Sequence, residues 1–149
     1  MGRFSTIARR GHVDTDASQI LEAVSSTAGF TSINPHRTAD PTLVITPSGP
    51  PTGVGSGFAF RGKDGKGTQT VAEVNDSHVI HDIDMGSFGR SRQRISATPS
   101  PAGGCDVEWS VTLDAGHNPL LRIFGLMADK VLGPSLETGI SNLASATWR

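Results

Sequence analysis

The sequence predicts an α+β fold in which one long helix near the C-terminal end packs on one face of a curved antiparallel sheet. Two observations support this class. Apolar and polar residues alternate in short runs through the middle of the chain, and helical periodicity is sustained only over residues 118–148. Eighteen glycines and nine prolines supply turns between the short runs. With 149 residues, 36% of them hydrophobic, the chain is expected to form a single domain over residues 1–149.

The N-terminal part predicts one strand and one short helical region. Residues 4–13 are compatible with a strand, although the pattern does not decide which face is buried. Asp14 or Thr15 is expected to cap the helix that follows, and Gly29 together with Asn34-Pro35 is expected to end the helical region. The apolar residues at helical spacing are Ala17, Ile20, Leu21 and Val24.

The middle of the chain predicts strands of period two. A short strand is expected at residues 43–45, and Phe58 and Phe60 mark the next one after a loop rich in glycine and proline. The strand at residues 69–74 is equally regular on both faces, so its inner face stays undecided.

The following hairpin has two chemically different faces. Val79, His81, Ile83 and Met85 share one face, and the aspartates lie on the other. If residues 86–88 form the turn, each inward residue and each aspartate acquires a defined partner on the returning strand. A slip by two residues would preserve the faces and change the partners. The predicted pairs are Asp84 with Arg90, Asp82 with Arg92, His81 with Gln93, and Val79 with Ile95.

The last strand is the clearest amphipathic strand of the chain. It alternates apolar inward residues with polar outward residues over ten positions. The inward residues are Cys105, Val107, Trp109, Val111 and Leu113.

The C-terminal helix carries two apolar stripes. At about 100° per residue the second stripe lies roughly 160° from the first, so one straight helix cannot point both at the same surface. Gly133-Pro134 lies between them, and proline removes a backbone donor, so we predict a kink or a break there. The pair is either a moving hinge or a static kink. The stripes are Leu120, Phe124, Met127 and Val131, then Leu136, Ile140, Leu143 and Thr147.

Composition excludes several classes of function. The formal net charge of -1 argues against a protein that binds nucleic acid by broad phosphate neutralisation. No apolar run approaches the about 20 residues of a membrane span, so membrane insertion is not expected. The single cysteine, Cys105, is typical of a reducing compartment, and the N-terminus lacks the apolar core of a signal peptide. These features predict a cytoplasmic protein.

Three stretches resemble the SRPBCC (START-like) superfamily, in particular its polyketide cyclase/dehydrase and lipid-transport branch. They are GPPTGVGSGFAFRGKDGKGTQTVAEV, CDVEWSVTLD and NPLLRIFGLMADKVLGPSLETGISNLAS. The resemblance implies a helix-grip fold, in which a curved seven-stranded sheet wraps the C-terminal helix and encloses a deep cavity for an apolar small molecule. Ile33 stands where relatives commonly have tryptophan. The chain has no tyrosine, a residue often used by aromatases of this fold, and this favours binding over catalysis.

Other clusters have simpler interpretations than a site. HVIHDID combines histidines and aspartates, but alternation along a strand sends His78 and His81 to opposite faces, and arginine pairing explains the aspartates, so no metal is expected. The arginines of GRSRQR lie on that same solvated face. GKDGKG and GVGSG lack the strand-to-helix context of phosphate loops and are interpreted as turns, so no cofactor is expected. Cys105 is interpreted as a core residue rather than a nucleophile.

The strongest candidate site is the inward polar set of His81, Gln93 and Trp109. A mainly apolar cavity with a few convergent polar groups is typical of small-molecule sites. Alternatively, these three side chains satisfy one another in a filled core. The predicted lining is Phe58, Phe60, His81, Ile83, Gln93, Trp109, Val111, Phe124, Met127, Leu136 and Ile140.

Two functions follow from this candidate site. The leading hypothesis is binding of an apolar or amphipathic small molecule between the sheet and the C-terminal helix, with His81 and Gln93 orienting a polar group. The rival is a polyketide cyclase/dehydratase-type enzyme in which His81 is a general acid or base. A third possibility is an interaction protein with a filled interior.

Overall fold

The structure is a computed structural model that describes residues 4–63, 65–116 and 118–146, without the side chains of residues 121, 122 and 124–126. Seven strands form one antiparallel sheet in the order β1-β7-β6-β5-β4-β3-β2, so the predicted curved sheet is confirmed. A single turn of 3₁₀-helix, Gly86–Phe88, joins β5 to β6 at the predicted turn. The strands are β1 (Phe4–Val13), β2 (Val44–Ser48), β3 (Gly57–Gly62), β4 (Gly65–Val74), β5 (His78–Asp84), β6 (Arg90–Pro99) and β7 (Cys105–Asp114).

The register of the β5–β6 hairpin is the predicted one. His81 pairs with Gln93, Asp82 with Arg92, and Asp84 with Arg90. Gln93 in turn lies opposite Val111 of β7, which places the polar pair near the centre of the sheet. The register followed from the sequence because one face of the hairpin is apolar and the other charged, so a shift by one residue would bury the charges.

β4 contains an irregularity that the sequence did not reveal. Its register against β5 shifts between Val71 and Glu73, so Ala72 is an extra residue. Before this bulge, Gln69 and Val71 point inward and are buried. After it, Glu73 is exposed and lies opposite Ile80, a residue of the outer face. The bulge therefore decides the facing that alternation left open.

The helical region after β1 consists of three helices instead of one. The N-cap of the first is Asp16, not Asp14 or Thr15. The Ser26 side chain accepts a hydrogen bond from the Gly29 backbone N–H and starts the second helix, and Asn34 does the same for the third. Pro35 occupies the first turn of the third helix. Proline is tolerated there because a backbone N–H at this position would have no partner inside the helix. The helices are α1 (Ala17–Val24), α2 (Thr27–Ile33) and α3 (Pro35–Ala39).

The C-terminal helix α4 (Pro119–Ser145) runs continuously through Pro134, so the predicted break is wrong, while a bend remains a prediction. Its second stripe is buried against the sheet, as predicted. The described side chains of its first stripe, Leu120, Met127 and Val131, are exposed. Thr147 and Trp148 lie outside the described residues, as does the Phe124 side chain.

Two glycines allow α4 to approach the sheet closely. A Cβ on Gly139 would lie 2.7 Å from Cη2 of the Trp109 ring, and a Cβ on Gly11 would lie 2.6 Å from Cγ2 of Ile140. Both positions therefore need a residue without a side chain. α4 packs chiefly along β1 and touches β7, whereas α1 covers β5 and β6. In the part of the chain that the structure describes, no helix is long and apolar enough to cross a membrane.

Candidate ligand-binding site

A chain of buried hydrogen bonds connects three neighbouring strands at the centre of the inner face. The indole N–H of Trp109 donates to Oε1 of Gln93 over 2.9 Å. Nε2 of Gln93 donates to Nδ1 of His81 over 3.1 Å. Nε2 of His81 donates to the carbonyl oxygen of Val24 over 2.9 Å. Because a carbonyl can only accept, His81 carries its proton on Nε2, and Nδ1 is the acceptor.

This chain attaches α1 to the sheet. Val24 is the last residue of α1, and the last carbonyls of a helix have no partner inside the helix. The His81 ring supplies the missing donor from β5. Burial lowers the pKa of His81 to about 4, since the charged form would lose its hydration. His81 is therefore neutral at physiological pH, and in this arrangement both of its ring nitrogens are occupied.

Aromatic side chains fill the space around His81. The Phe30 ring of α2 lies 5.2 Å from the His81 ring and 5.9 Å from Trp109, measured between centroids. Phe58 stacks on Phe30 at 6.0 Å. These distances are typical of favourable aromatic pairs. This end of the inner face is therefore a packed core. It fits the alternative in which His81, Gln93 and Trp109 satisfy one another in a filled interior.

The other end of the inner face is less completely covered. Phe60 of β3, Ile83 of β5 and Leu113 of β7 point inward but are only half-buried. They lie towards the end of the sheet that holds the β5–β6 turn. α4 packs mainly along β1 and makes a smaller contact with β7. The apolar end is thus the less completely buried part of the inner face.

Gln69 lies between these two ends and was not among the predicted site residues. It pairs with Phe58 on one side and Ile83 on the other, and it is 5% exposed. Its side-chain nitrogen Nε2 is buried and has no hydrogen-bond partner among the residues that the structure describes. The only signal in the sequence was a shared face with Val71, and the bulge at Ala72 prevented that face from being assigned.

The structure brings most of the predicted lining together on the interior. Met127 is the exception among the described side chains, since it is 56% exposed on the outer side of α4. The second stripe faces the sheet, and the two stripes point in different directions, so Met127 cannot face the interior as well. Phe60 and Ile83 are half-buried. The buried members are Phe58, His81, Gln93, Trp109, Val111, Leu136 and Ile140.

Arg9 of β1 forms ion pairs with two acidic residues of α4. Its Nη2 lies 2.8 Å from Asp129, and its Nε lies 3.1 Å from Glu137. The Arg9 guanidinium lowers the pKa of Asp129 by hydrogen bonding, and the two carboxylates raise the pKa of Arg9. The guanidinium lies over Gly133, where a Cβ would overlap it. Arg9 thus ties α4 to β1 on both sides of Pro134.

The outer face carries the charges that the sequence placed there. Arg92 pairs with Asp82 at 3.0 Å and Arg90 with Asp84 at 3.5 Å, as predicted. His78 contacts Glu73 and so belongs to a different group from these aspartates. Among the described residues, no three histidine, cysteine, aspartate or glutamate side chains converge as metal ligands do.

An open depression of about 470 Å³ lies beside the edge formed by β2, β3 and β4. Its wall includes Val44, Thr46 and Ala59, which belong to the outer face of the sheet. Its wall also includes Phe60, so the depression extends around this edge of the sheet to a residue of the candidate site.

Comparisons with solved structures identify the same fold in several proteins. A protein from Thermobifida fusca superposes with a TM-score of 0.70 and 18% identity, over 93% of this chain and 90% of that chain. Norcoclaurine synthase from Thalictrum flavum gives a TM-score of 0.67 and 16% identity, over 95% and 84%. The di-domain ARO/CYC StfQ from the steffimycin biosynthetic pathway gives 0.65 and 9%, over 95% of this chain and 50% of that chain. At these identities the similarity establishes the fold alone.

The sequence itself identifies the family. A comparison with curated protein sequences found no match. A sequence model of the family described as polyketide cyclase/dehydrase and lipid transport matches residues 6–147, which span α4 and all of the sheet except the first two residues of β1. The chain therefore belongs to the polyketide cyclase/dehydrase and lipid transport family of the SRPBCC superfamily, and its sheet and C-terminal helix form the helix-grip fold.

Proposed function

We propose that this protein binds an apolar or amphipathic small molecule between the inner face of the sheet and α4. The observation that carries the proposal is the incompletely covered end of the inner face, where Phe60, Ile83 and Leu113 remain half-buried. Burial of these surfaces by a ligand would contribute about 25 cal/mol per Å². The family of this chain is described by polyketide cyclisation and lipid transport. This supports an apolar or amphipathic small molecule as the class of ligand.

The arrangement of His81 favours a carrier or ligand-binding protein over an enzyme. A general base needs a free lone pair within reach of the substrate. The Nδ1 lone pair of His81 accepts from Gln93, and Phe30 covers the ring. Catalysis by His81 would first require Gln93 to turn away.

The experiment blocks the uncovered end and measures binding of a neutral fluorescent probe, N-phenyl-1-naphthylamine. Ile83→Trp places a larger side chain on the inner face opposite Gln69, whereas the matched control Ile80→Trp places the same side chain on the outer face of the same strand. We expect saturable binding to the wild type and to Ile80→Trp, and a loss of at least about tenfold in affinity for Ile83→Trp. Equal affinity of the two variants would place binding elsewhere.

A polyketide cyclase/dehydratase-type activity is the second candidate, and the neutral imidazole of His81 is the observation that favours it. Substitution of His81 by glutamine distinguishes the two. Turnover that disappears while probe binding persists would support catalysis, and unchanged turnover would remove His81 from it.

The cytoplasmic location inferred from the single cysteine stays a prediction.

A further inference from the structure

We infer that Gln69 is the residue that recognises the polar group of the ligand, by donating a hydrogen bond from Nε2 to a neutral carbonyl or hydroxyl oxygen. This inference rests on the proposed function and names the ligand class for the same site. It replaces the sequence-based expectation that His81 and Gln93 orient the ligand.

The first step of the argument is that the Gln69 amide lacks a partner. Nε2 is buried, and no residue in the part of the chain that the structure describes offers it an acceptor. A buried donor without a partner destabilises the free protein, and the great majority of buried polar side-chain atoms are hydrogen-bonded. Thr31 of α2 is the other described residue with a buried side-chain atom in this condition. An unsatisfied group on an apolar inner face is what a binding site requires before its ligand arrives.

The second step is that the alternative polar groups are already used. Oε1 of Gln93 accepts from Trp109, and its Nε2 donates to His81. His81 in turn donates to the Val24 carbonyl. A ligand that bound to any of these three side chains would have to break an existing buried hydrogen bond. A ligand that bound to Gln69 would break none.

The third step is that the ligand group is neutral. Arg9 is the basic residue among the described inward-facing strand positions, and two carboxylates of α4 already neutralise it. Glu73 lies beyond the bulge, is exposed and contacts His78. A carboxylate or phosphate beside Gln69 would therefore be buried without a counter-charge, which is costly. A ketone or alcohol oxygen on an apolar skeleton has no such cost.

The experiment uses two probes of the same skeleton, fluorene and 9-fluorenone, which differ by one carbonyl oxygen. Binding of each is measured by calorimetry for the wild type, for Gln69→Leu and for the control Gln19→Leu, which makes the same chemical change on α1. We expect the ratio of the fluorenone to the fluorene affinity to fall about three- to tenfold in Gln69→Leu only, the range expected for one neutral hydrogen bond. Chemical denaturation of the ligand-free proteins should show that Gln69→Leu is more stable than the wild type.

The outcomes separate this inference from the proposed function. If both probes bind and the ratio in Gln69→Leu equals that of the wild type, the role of Gln69 is refuted while the ligand-binding function stands. If neither probe shows saturable binding and N-phenyl-1-naphthylamine also fails to bind, the proposed function is refuted and the inference falls with it. A ligand-free Gln69→Leu that is less stable than the wild type would show that the amide is paired in the free protein, which also overturns the inference.

Discussion

Protonation of His81 should destabilise the fold as the pH falls from neutral to 4. In the folded protein the ring is 2% exposed, and its pKa is lowered from 6.5 to about 4 by burial. In the unfolded chain the ring titrates near 6.5. Between these values the unfolded chain binds the extra proton, so stability is highest above pH 6.5 and decreases as the pH falls.

The magnitude follows from the two pKa values. Linkage gives a loss in the free energy of unfolding of about 2 kcal/mol at pH 5 and about 3 kcal/mol at pH 4. His12 does not mask this loss. Asp106 and Asp14 raise the pKa of His12. The stability that His12 contributes is therefore fully present below pH 6.5 and decreases only above that pH. Asp40 and Asp129 have pKa values below the ordinary 3.8. The stability that these two carboxylates contribute is therefore lost mainly below pH 3.8.

The assay is urea denaturation at several pH values between 7 and 4 for the wild type, His81→Gln and His12→Asn. Glutamine can still donate to the Val24 carbonyl but cannot titrate, so the decrease assigned to His81 should be absent from His81→Gln and present in His12→Asn. The absolute stability of His81→Gln does not enter the comparison, because only its change with pH is used. Direct titration of the His81 ring by NMR gives the folded pKa independently.

The reasoning would be refuted by a decrease of the same size in His81→Gln and in the wild type. It would also be refuted by an NMR pKa for His81 near 6.5. Either result would mean that burial does not lower the pKa of the His81 imidazole in the folded state.

Two further predictions concern the packing of α4. Gly139→Ala should lower the free energy of unfolding by about 1–3 kcal/mol, because its Cβ would overlap the Trp109 ring, and urea denaturation measures this effect. Arg9→Met should accelerate amide hydrogen exchange at residues 119–132 more than at residues 136–145. It removes the ion pairs with both Asp129 and Glu137, but the segment that contains Glu137 is also held by its buried apolar stripe.

Each of these has a matched control on the same element. Ser141→Ala introduces the same side chain at an exposed position of α4 and should leave stability nearly unchanged or slightly raised. Arg10→Met removes an outer-face pair with Glu108 and should leave exchange in α4 unaltered. A Gly139→Ala protein as stable as Ser141→Ala, or equal exchange in the two arginine variants, would contradict the respective prediction.

Much of the sheet could be predicted from the sequence because alternation on two unlike faces excludes a one-residue shift, and the expected turn at residues 86–88 selects one of the registers that remain. The β5–β6 hairpin places aspartates against arginines outside and His81 against Gln93 inside, so the strand ends, the turn and the partners all followed. β7 and the buried second stripe of α4 were predictable for the same reason. Each of these elements has one strongly apolar face whose burial dominates its free energy.

What the sequence determined by itself was therefore the facing of strongly patterned elements, the family and the inward polar trio. Only the tertiary structure decided what those groups contact. His81 donates to Val24, 57 residues earlier in the chain, and no local pattern reports a contact over that separation. The bulge at Ala72 turns Glu73 outward while Gln69 and Val71 stay on the inner face, and α4 lies along β1 with the described side chains of its first stripe exposed. Local periodicity determines which face of its own helix or strand a side chain lies on. The residues that this side chain contacts depend on how several elements pack together.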